Sequence, residues 1–212
     1  MARFEDRAAA GRRLADRLAP HGDQVCHVVA LRPGSVLVAA PIAHTLGAPL
    51  SLLFLGRLPI PWNPETGFGA VSASGDVLID DKLVDSLSLS SSRVRSITVS
   101  VLREVKRRQE VFQDVNPPLQ VSGRRVILVG EGLASGYTAL AGISALRNKK
   151  PESVVVAAPC ASQDAVQRIS EKADEMAVLI VKATGSFQTA SFYEQFAEPS
   201  DDAVRAALAE AN

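Results

Sequence analysis

The residues best suited to chemistry lie in one stretch, Val126 to Thr138 (VILVGEGLASGYT). Four apolar residues, typical of a strand buried on both faces, lead into Glu131 and then into a run of small residues, Gly132 to Gly136. Apolar residues at helical spacing follow from Tyr137 to Arg147. In α/β proteins, the N–H groups of such a loop and the start of the next helix bind phosphate. The order strand, small-residue loop and helix therefore predicts an anion site.

A family resemblance becomes visible at these residues. The stretch resembles the phosphoribosyl pyrophosphate motif of type I phosphoribosyltransferases, where four apolar residues precede two acids and a loop ending in Thr-Gly or Ser-Gly. Here Glu131 matches the second acid, and Gly130 replaces the first. The motif alone also fits any phosphate or nucleotide loop of a doubly wound fold. A dinucleotide-binding turn is disfavoured, because Gly130, Gly132 and Gly136 do not have the Gly-x-Gly-x-x-Gly spacing.

The resemblance implies a role for each residue of the motif. Glu131 would be the catalytic residue, and its carboxylate would accept hydrogen bonds from the ribose hydroxyls. Magnesium would bridge substrate oxygens, because Mg²⁺ prefers few protein ligands, and no metal site built by the protein is expected. The 5′-phosphate of the ligand would be bound by the loop residues, which are Gly132, Leu133, Ala134, Ser135 and Gly136, together with the hydroxyl of Thr138.

A second loop follows the first predicted strand and reads Leu31-Arg32-Pro33-Gly34-Ser35. The family has Leu-Pro-Arg-Gly-Gly here and binds pyrophosphate with it, so arginine and proline have changed places. The resemblance makes Arg32, Gly34 and Ser35 substrate-binding candidates; the alternative is a plain turn with a solvated arginine. An Arg32–Pro33 bond could be cis at low cost. Because ligands bind at the carboxyl ends of parallel strands, we expect this loop to face the same cleft as Ser135.

A third segment, Gly56 to Gly69 (GRLPIPWNPETGFG), is rich in proline and glycine. One branch of the family has Arg-Lys, then Gly-Asn-Pro-Glu, in a comparable position. Here the basic pair is halved, and Arg57 remains as a candidate contact for pyrophosphate. Asn63 and Glu65 could be structural or could line the cleft. Trp62, which replaces a glycine, is expected to pack this loop.

The remaining pattern predicts one α/β domain over residues 1–212, with a doubly wound, mostly parallel sheet of about five strands. A hairpin and a long helix, over about residues 68–118, form an insertion that resembles the hood of the family. The tail also resembles the ending of that family branch, so the likeness covers nearly the whole chain. Strands are predicted near residues 24–31, 49–55, 126–129, 153–158 and 177–181. Helices are predicted near residues 7–18, 36–46, 90–113, 137–147 and 163–173. A short helix is predicted to start at residue 80 and a last helix near residue 200, and the chain is expected to break the first helix at residues 20–23.

Composition narrows the functional classes. The 212 residues carry 23 basic and 23 acidic side chains, so the formal net charge is zero and no basic stripe suggests a nucleic-acid partner. No apolar run reaches the length of a membrane span, and the charged N-terminus is not a signal peptide. Cys26 and Cys160 lie in or beside apolar runs and are expected to be buried reduced thiols of a cytoplasmic protein. His27 interrupts such a run and is expected to be structural.

Two functions are consistent with these features. One is a transferase that binds phosphoribosyl pyrophosphate, or a related sugar phosphate, and passes the phosphoribosyl group to a nitrogenous base. The other is a family member without the reaction that binds a phosphoribosyl ligand or a protein partner. The departures from the family fall on the ligand loops, while the framework is intact. The acceptor base cannot be read, and a homodimer is left open.

Overall fold

Runs of apolar, largely β-branched residues form the central sheet, as the sequence predicts. The structure, a computed structural model, describes residues 3–19, 25–183 and 185–212, with the backbone alone for 64–66. The predicted break at 20–23 lies outside these ranges. The strands are β1 (Cys26–Ala30), β2 (Leu50–Leu52), β3 (Leu55–Ile60), β4 (Asn63–Ser72), β5 (Val77–Ile79), β6 (Arg125–Val129), β7 (Ser153–Ser162) and β8 (Glu175–Lys182).

Five of the seven α-helices in the described ranges begin at a side chain that caps them, whereas those that start at Pro33 and Tyr137 do not. Asp6, Asp80, Ser90, Ser162 and Ser200 each accept a hydrogen bond from the first turn of a helix. The helices are α1 (Arg7–Leu18), α2 (Pro33–Leu46), α3 (Asp81–Ser86), α4 (Ser91–Phe112), α5 (Tyr137–Arg147), α6 (Gln163–Ser170) and α7 (Asp201–Glu210). Within the described ranges, none of them is long and apolar enough to cross a bilayer.

The five-stranded sheet is parallel throughout, in the order β2-β1-β6-β7-β8. Its residues alternate between two buried faces. One face packs on α1, α2 and α7, where Leu14, Ile42 and Leu208 are fully buried. The other packs on α5 and α6, where Ile143 and Ile169 are buried. The chain runs outward in opposite directions from β1 and β6, so the topological switch point lies between these two strands.

The hood is larger than the sequence predicts. Its three antiparallel strands, β3-β4-β5, begin at Leu55 rather than near residue 68. The first strand was missed because its proline and glycine residues are typical of a loop; an edge strand with register shifts tolerates them. Trp62 lies at the turn between β3 and β4 and is 63% exposed, so the prediction that it packs this segment is wrong.

Two expectations for the first half of the chain also change. Helix α2 begins at Pro33, three residues earlier than predicted, because the missing N–H of proline costs nothing in the first turn of a helix. It then continues through Pro41 to Leu46. The Arg32–Pro33 bond is trans, since the described part of the chain contains no cis peptide.

Candidate active site

The candidate site lies at the switch point of the sheet. A cleft of about 180 Å³ opens where β1 and β6 end, and its wall includes the loops that follow both strands. The expectation that Arg32 and Ser35 face the same cleft as Ser135 is therefore confirmed in its geometry. Of the predicted site residues, the cleft is lined by Arg32, Ser35, Arg57, Glu131, Gly132, Leu133, Ala134, Ser135, Gly136 and Thr138.

The loop from Gly132 to Gly136, called here the phosphate loop, is shaped for an anion. It ends at Gly136, whose φ of 82° lies in the left-handed region that glycine adopts readily. Helix α5 starts at the next residue. The N–H groups of Ala134, Ser135 and Gly136 have no hydrogen-bond acceptor within the described parts of the chain. Unpaired N–H groups beside the positive end of a helix dipole favour negative charge, so this loop is a candidate anion site.

The start of α2 faces the same cleft. Arg32 is its N-cap residue in extended conformation, and Ser35 in the first turn is buried against the cleft. Two helix N-termini, those of α2 and α5, thus meet at one cavity, and both favour negative charge. Gly34 does not line the cleft but lies behind Glu131. A Cβ atom there would come within 2.4 Å of a carboxylate oxygen of Glu131, so a larger residue would displace the carboxylate from its present position.

The carboxylate of Glu131 is engaged by two arginines. The Nε of Arg7 donates to one oxygen at 2.8 Å, and Arg32 donates to the other at 2.9 Å. Arg7 is almost completely buried, whereas the Arg32 side chain is 46% exposed at the cleft. The sequence singled out Glu131 but gave no sign of either ion pair. A carboxylate can accept about four hydrogen bonds, so some acceptor capacity remains.

Arg7 belongs to a group of residues from the two ends of the chain that packs against Glu131. The guanidinium lies 3.9 Å from the ring centroid of Phe196 and donates to the carbonyl of Ala197 at 2.8 Å. The N-terminal and C-terminal segments pair beside it, since the Phe4 N–H donates to the Phe192 carbonyl at 2.8 Å. Thr189 from this closing segment also lines the cleft. Sequence reasoning missed these residues, because nothing local to them points to the phosphate loop.

Two buried groups, one beside Glu131 and one at the start of β1 away from the cleft, are held in their neutral forms. Burial raises the pKa of the Cys160 thiol to about 12, and the nearby Glu131 adds to the effect. Burial also lowers the pKa of His27 to about 4, with the positive charge of Arg124 as the second cause. The ring of His27 is bonded to Ser51 at 2.8 Å. Both cysteines are free and buried, and His27 has a structural partner, as the sequence predicts.

The comparisons with known proteins agree with this geometry. An all-parallel five-stranded sheet with an inserted hood and an anion loop at its switch point defines a phosphoribosyltransferase-like protein. The chain is 35% identical over 205 residues to the "Putative phosphoribosyl transferase Rv0571c" of Mycobacterium tuberculosis H37Rv, and equally to its counterpart in strain CDC 1551. This match covers 97% of the chain and 46% of the relatives, so the chain spans about half of their length.

A solved structure gives a closer match in length. The crystal structure of TT1426 from Thermus thermophilus superposes with a TM-score of 0.83 at 33% identity, and the match covers 98% of both chains. No protein-family model matches the chain. On its motif, fold and relatives, the chain is a phosphoribosyltransferase-like protein.

Proposed function

We propose that the protein binds phosphoribosyl pyrophosphate, or a closely related phosphorylated ribose, in the cleft between β1 and β6, and transfers the phosphoribosyl group to a nitrogenous base at a low rate. One observation carries the proposal: a donor loop for a monophosphate lies across one cleft from two arginines suited to a diphosphate. The phosphate loop would bind the 5′-phosphate. Arg32 and Arg57 would bind the pyrophosphate.

This arrangement can assist displacement at carbon 1 of the sugar. The leaving pyrophosphate is strongly anionic, and the transition state at the sugar is cation-like. Catalysis then depends on holding the ligand in position and on stabilising charge on the leaving group. Arg32 is pre-positioned for this task by its ion pair with Glu131, which uses one of its five N–H donors.

Magnesium would arrive with the diphosphate and stay bound to substrate oxygens and water. The only carboxylate that lines the described cleft is Glu131, and both of its oxygens accept from arginines. Within the described residues, no group of three or more His, Cys, Asp or Glu side chains could hold a metal ion. The residues present therefore fit a metal carried by the substrate better than one bound by the protein.

A larger cavity of about 330 Å³ adjoins the cleft and shares Leu31, Arg32 and Arg57 with it. We place the acceptor there, between the hood helix α4 and the ends of β1 and β2. Apolar side chains such as Val101 and Val105 form part of its wall and suit a planar ring. Arg32 and Arg57 are assigned to the pyrophosphate, whereas Arg108 lines this cavity and not the cleft, and its charge favours an acceptor with a negative group. Arg108→Gln should then slow transfer to an acidic base without weakening ligand binding; equal turnover with the natural protein would refute this placement.

The alternative is a family member that binds the ligand and does not react. It is favoured by Gly130, which supplies no carboxylate at the position of the first acid, and by the two ion pairs of Glu131. Pyrophosphate release with a panel of bases separates the two. Measurable, base-dependent release supports the transferase, whereas tight ligand binding without release supports the binding module.

The binding itself is tested by calorimetry with phosphoribosyl pyrophosphate and Mg²⁺. Ser135 is exposed on the phosphate loop, so Ser135→Asp places a negative charge beside the proposed 5′-phosphate without disturbing the core. We expect affinity to fall at least tenfold in Ser135→Asp and much less in Ser135→Asn, which has nearly the same size and no charge. Equal affinities in both variants, or no binding by the natural protein, would contradict the proposal.

A further inference from the structure

The outer side of the phosphate loop is held by hydrogen bonds from other elements. In a trans peptide the carbonyl and the N–H of the same unit point in opposite directions, and all peptides in the described chain are trans. A donor that fixes a carbonyl on the outside therefore aims the next residue's N–H at the inside. The direction of each N–H in the loop can thus be traced to the partner of the preceding carbonyl.

Ser162 fixes two successive peptides of the loop. Its N–H donates to the carbonyl of Leu133 at 2.9 Å, and its hydroxyl donates to the carbonyl of Ala134 at 2.6 Å. The same hydroxyl oxygen accepts from the N–H of Ala165 as the cap of α6. The N–H groups opposite these two carbonyls are those of Ala134 and Ser135.

Arg168, nearly two turns further along α6, fixes the next peptide. Its guanidinium donates to the carbonyl of Ser135. The same group lies 4.8 Å from the ring centroid of Tyr137, which limits the freedom of the side chain. The opposite N–H is that of Gly136, the last residue before α5. At the other end of the loop, the hydroxyl of Tyr193 donates to the carbonyl of Glu131 at 2.5 Å.

The geometry points to Ser162 and Arg168 as positioning residues, which act on a bound phosphate through the N–H groups of Ser135 and Gly136. This inference rests on the proposed function of the phosphate loop. Neither residue lies in the loop or among the residues that line the cleft. Preorganised donors cost no reorganisation when the anion binds, so loosening either carbonyl should weaken binding.

The test is a titration with inorganic phosphate, followed by NMR of the backbone amides. In the natural protein we expect the amide protons of Ser135 and Gly136 to move downfield as phosphate binds. Ser162→Ala should reduce the movement mainly at Ser135, and Arg168→Met mainly at Gly136. Each variant should bind phosphate about tenfold more weakly, the loss expected when a bonded partner is removed.

Matched variants separate positioning from other effects. Ser200 caps α7 as Ser162 caps α6, so Ser200→Ala removes an equivalent cap that does not hold the loop, and phosphate affinity should be unchanged. For Arg168→Met, the difference in phosphate affinity from the natural protein should persist in high salt. If the variant lost only long-range charge attraction, salt would screen that attraction and the difference would disappear.

The outcomes also separate this inference from the proposed function. If the natural protein shows the amide shifts and both variants show the same shifts and affinity, Ser162 and Arg168 are not positioning residues, while the anion site stands. If phosphate moves no amide of the loop in the natural protein, the anion site and the positioning role both fail.

Discussion

At the scale of single residues, the site is defined by one acid that is present and one that is absent. Glu131 is present, but its oxygens bind the guanidinium groups of Arg7 and Arg32. Gly130 is present where the family has the first acid, and it lines the cleft. The cleft therefore combines Arg32 and Arg57 with a single carboxylate among its described lining residues, and that carboxylate already accepts from two arginines.

Replacing Gly130 by aspartate should strengthen ligand binding. Gly130 does not have a positive φ, and the nearest neighbour of a Cβ atom there would be the Leu133 side chain at 3.2 Å, so the variant is expected to fold. A hydrogen bond to a charged group contributes about 1.5–3 kcal/mol. We therefore expect Gly130→Asp to bind phosphoribosyl pyrophosphate with Mg²⁺ roughly tenfold more tightly or better, as measured by calorimetry.

Gly130→Asn serves as the uncharged control, and it should bind as the natural protein does. A well-folded Gly130→Asp that binds no better would show that the missing acid does not limit this site. We also expect the natural protein to transfer the phosphoribosyl group weakly or not at all with common bases. Turnover equal to that of an ordinary transferase would contradict the idea of a weakened site.

Glu131 should matter for stability as much as for ligand binding. Its partner Arg7 is buried, and removal of one member of a buried ion pair costs about 3–5 kcal/mol because the other charge is left without compensation. Glu131→Gln should therefore lower the free energy of unfolding by about 3 kcal/mol in a denaturant titration. The matched change Glu104→Gln removes an exposed partner of Arg107 and should leave stability nearly unchanged. Equal effects of the two substitutions would refute the buried pair.

At the scale of elements, the site is produced by two strand–loop–helix units that lie side by side. Each unit ends a buried strand at the cleft and starts a helix there, so the loops of β1 and β6 are brought together by strand pairing. The hood is bonded to the unit formed by β6, the phosphate loop and α5. The Tyr137 hydroxyl donates to Asp80 at 3.1 Å, and Asn148 donates to Asp76 at 2.8 Å. Helix α5 thus connects the phosphate loop with the hood.

The backbone turn that starts α5 gives a prediction with an internal control. Gly136 and Gly47 both have left-handed φ angles at helix ends, 82° and 58°. An alanine in this region costs about 1 kcal/mol, so Gly47→Ala, whose Cβ atom would meet nothing within 4 Å, should lower stability by about that amount. Gly136→Ala should lower it somewhat more, because its Cβ atom would lie 3.3 Å from Ile169. Only Gly136→Ala should also weaken phosphate binding, since only Gly136 belongs to the phosphate loop. Phosphate calorimetry on both variants checks this, and unchanged binding in Gly136→Ala would refute the role of the turn.

At the scale of the whole molecule, the chain closes on itself behind the site. The segment after β8 returns to the N-terminus, where Tyr193 and Phe4 form a parallel bridge and an aromatic contact at 5.6 Å. On the opposite edge of the sheet, the side chains of Asn116 and Asn212 bond the N–H and C=O groups of Leu52 and Leu50. These side chains provide hydrogen-bond partners for the backbone of the edge strand β2, whose N–H and C=O groups would otherwise be unpaired.

Global stability should depend on pH through His27. Burial lowers its pKa from 6.5 to about 4 in the folded protein, so below pH 6.5 the unfolded chain binds a proton that the folded chain does not. The free energy of unfolding should therefore fall as pH is lowered from about 6.5 towards 4, by at most about 3 kcal/mol. Denaturant titrations across this range measure the slope. In His27→Gln the slope should largely disappear; a slope that remains would assign the pH dependence to other groups.

The sequence by itself determined most of the framework. The strand–loop–helix pattern from Val126 to Arg147 predicted β6, the phosphate loop and α5, because apolar periodicity and glycine placement act locally. The same signals predicted α4 from its serine cap. They failed at β3, where a glycine and a proline typical of a loop occupy a strand, and at the start of α2, where Pro33 begins the helix.

Only the tertiary structure decided how the site is assembled. The ion pair of Glu131 with Arg7 joins residues 124 positions apart. The contacts from Ser162 and Arg168 to the phosphate loop depend on how β7 and α6 pack beside β6. Such contacts produce no periodic or local pattern in the sequence, because the sequence does not show whether an arginine is buried or exposed. The sequence thus located the loop and its acid at the cleft, while the packing of distant segments determined which side chains hold the acid and the outward carbonyl groups of the loop.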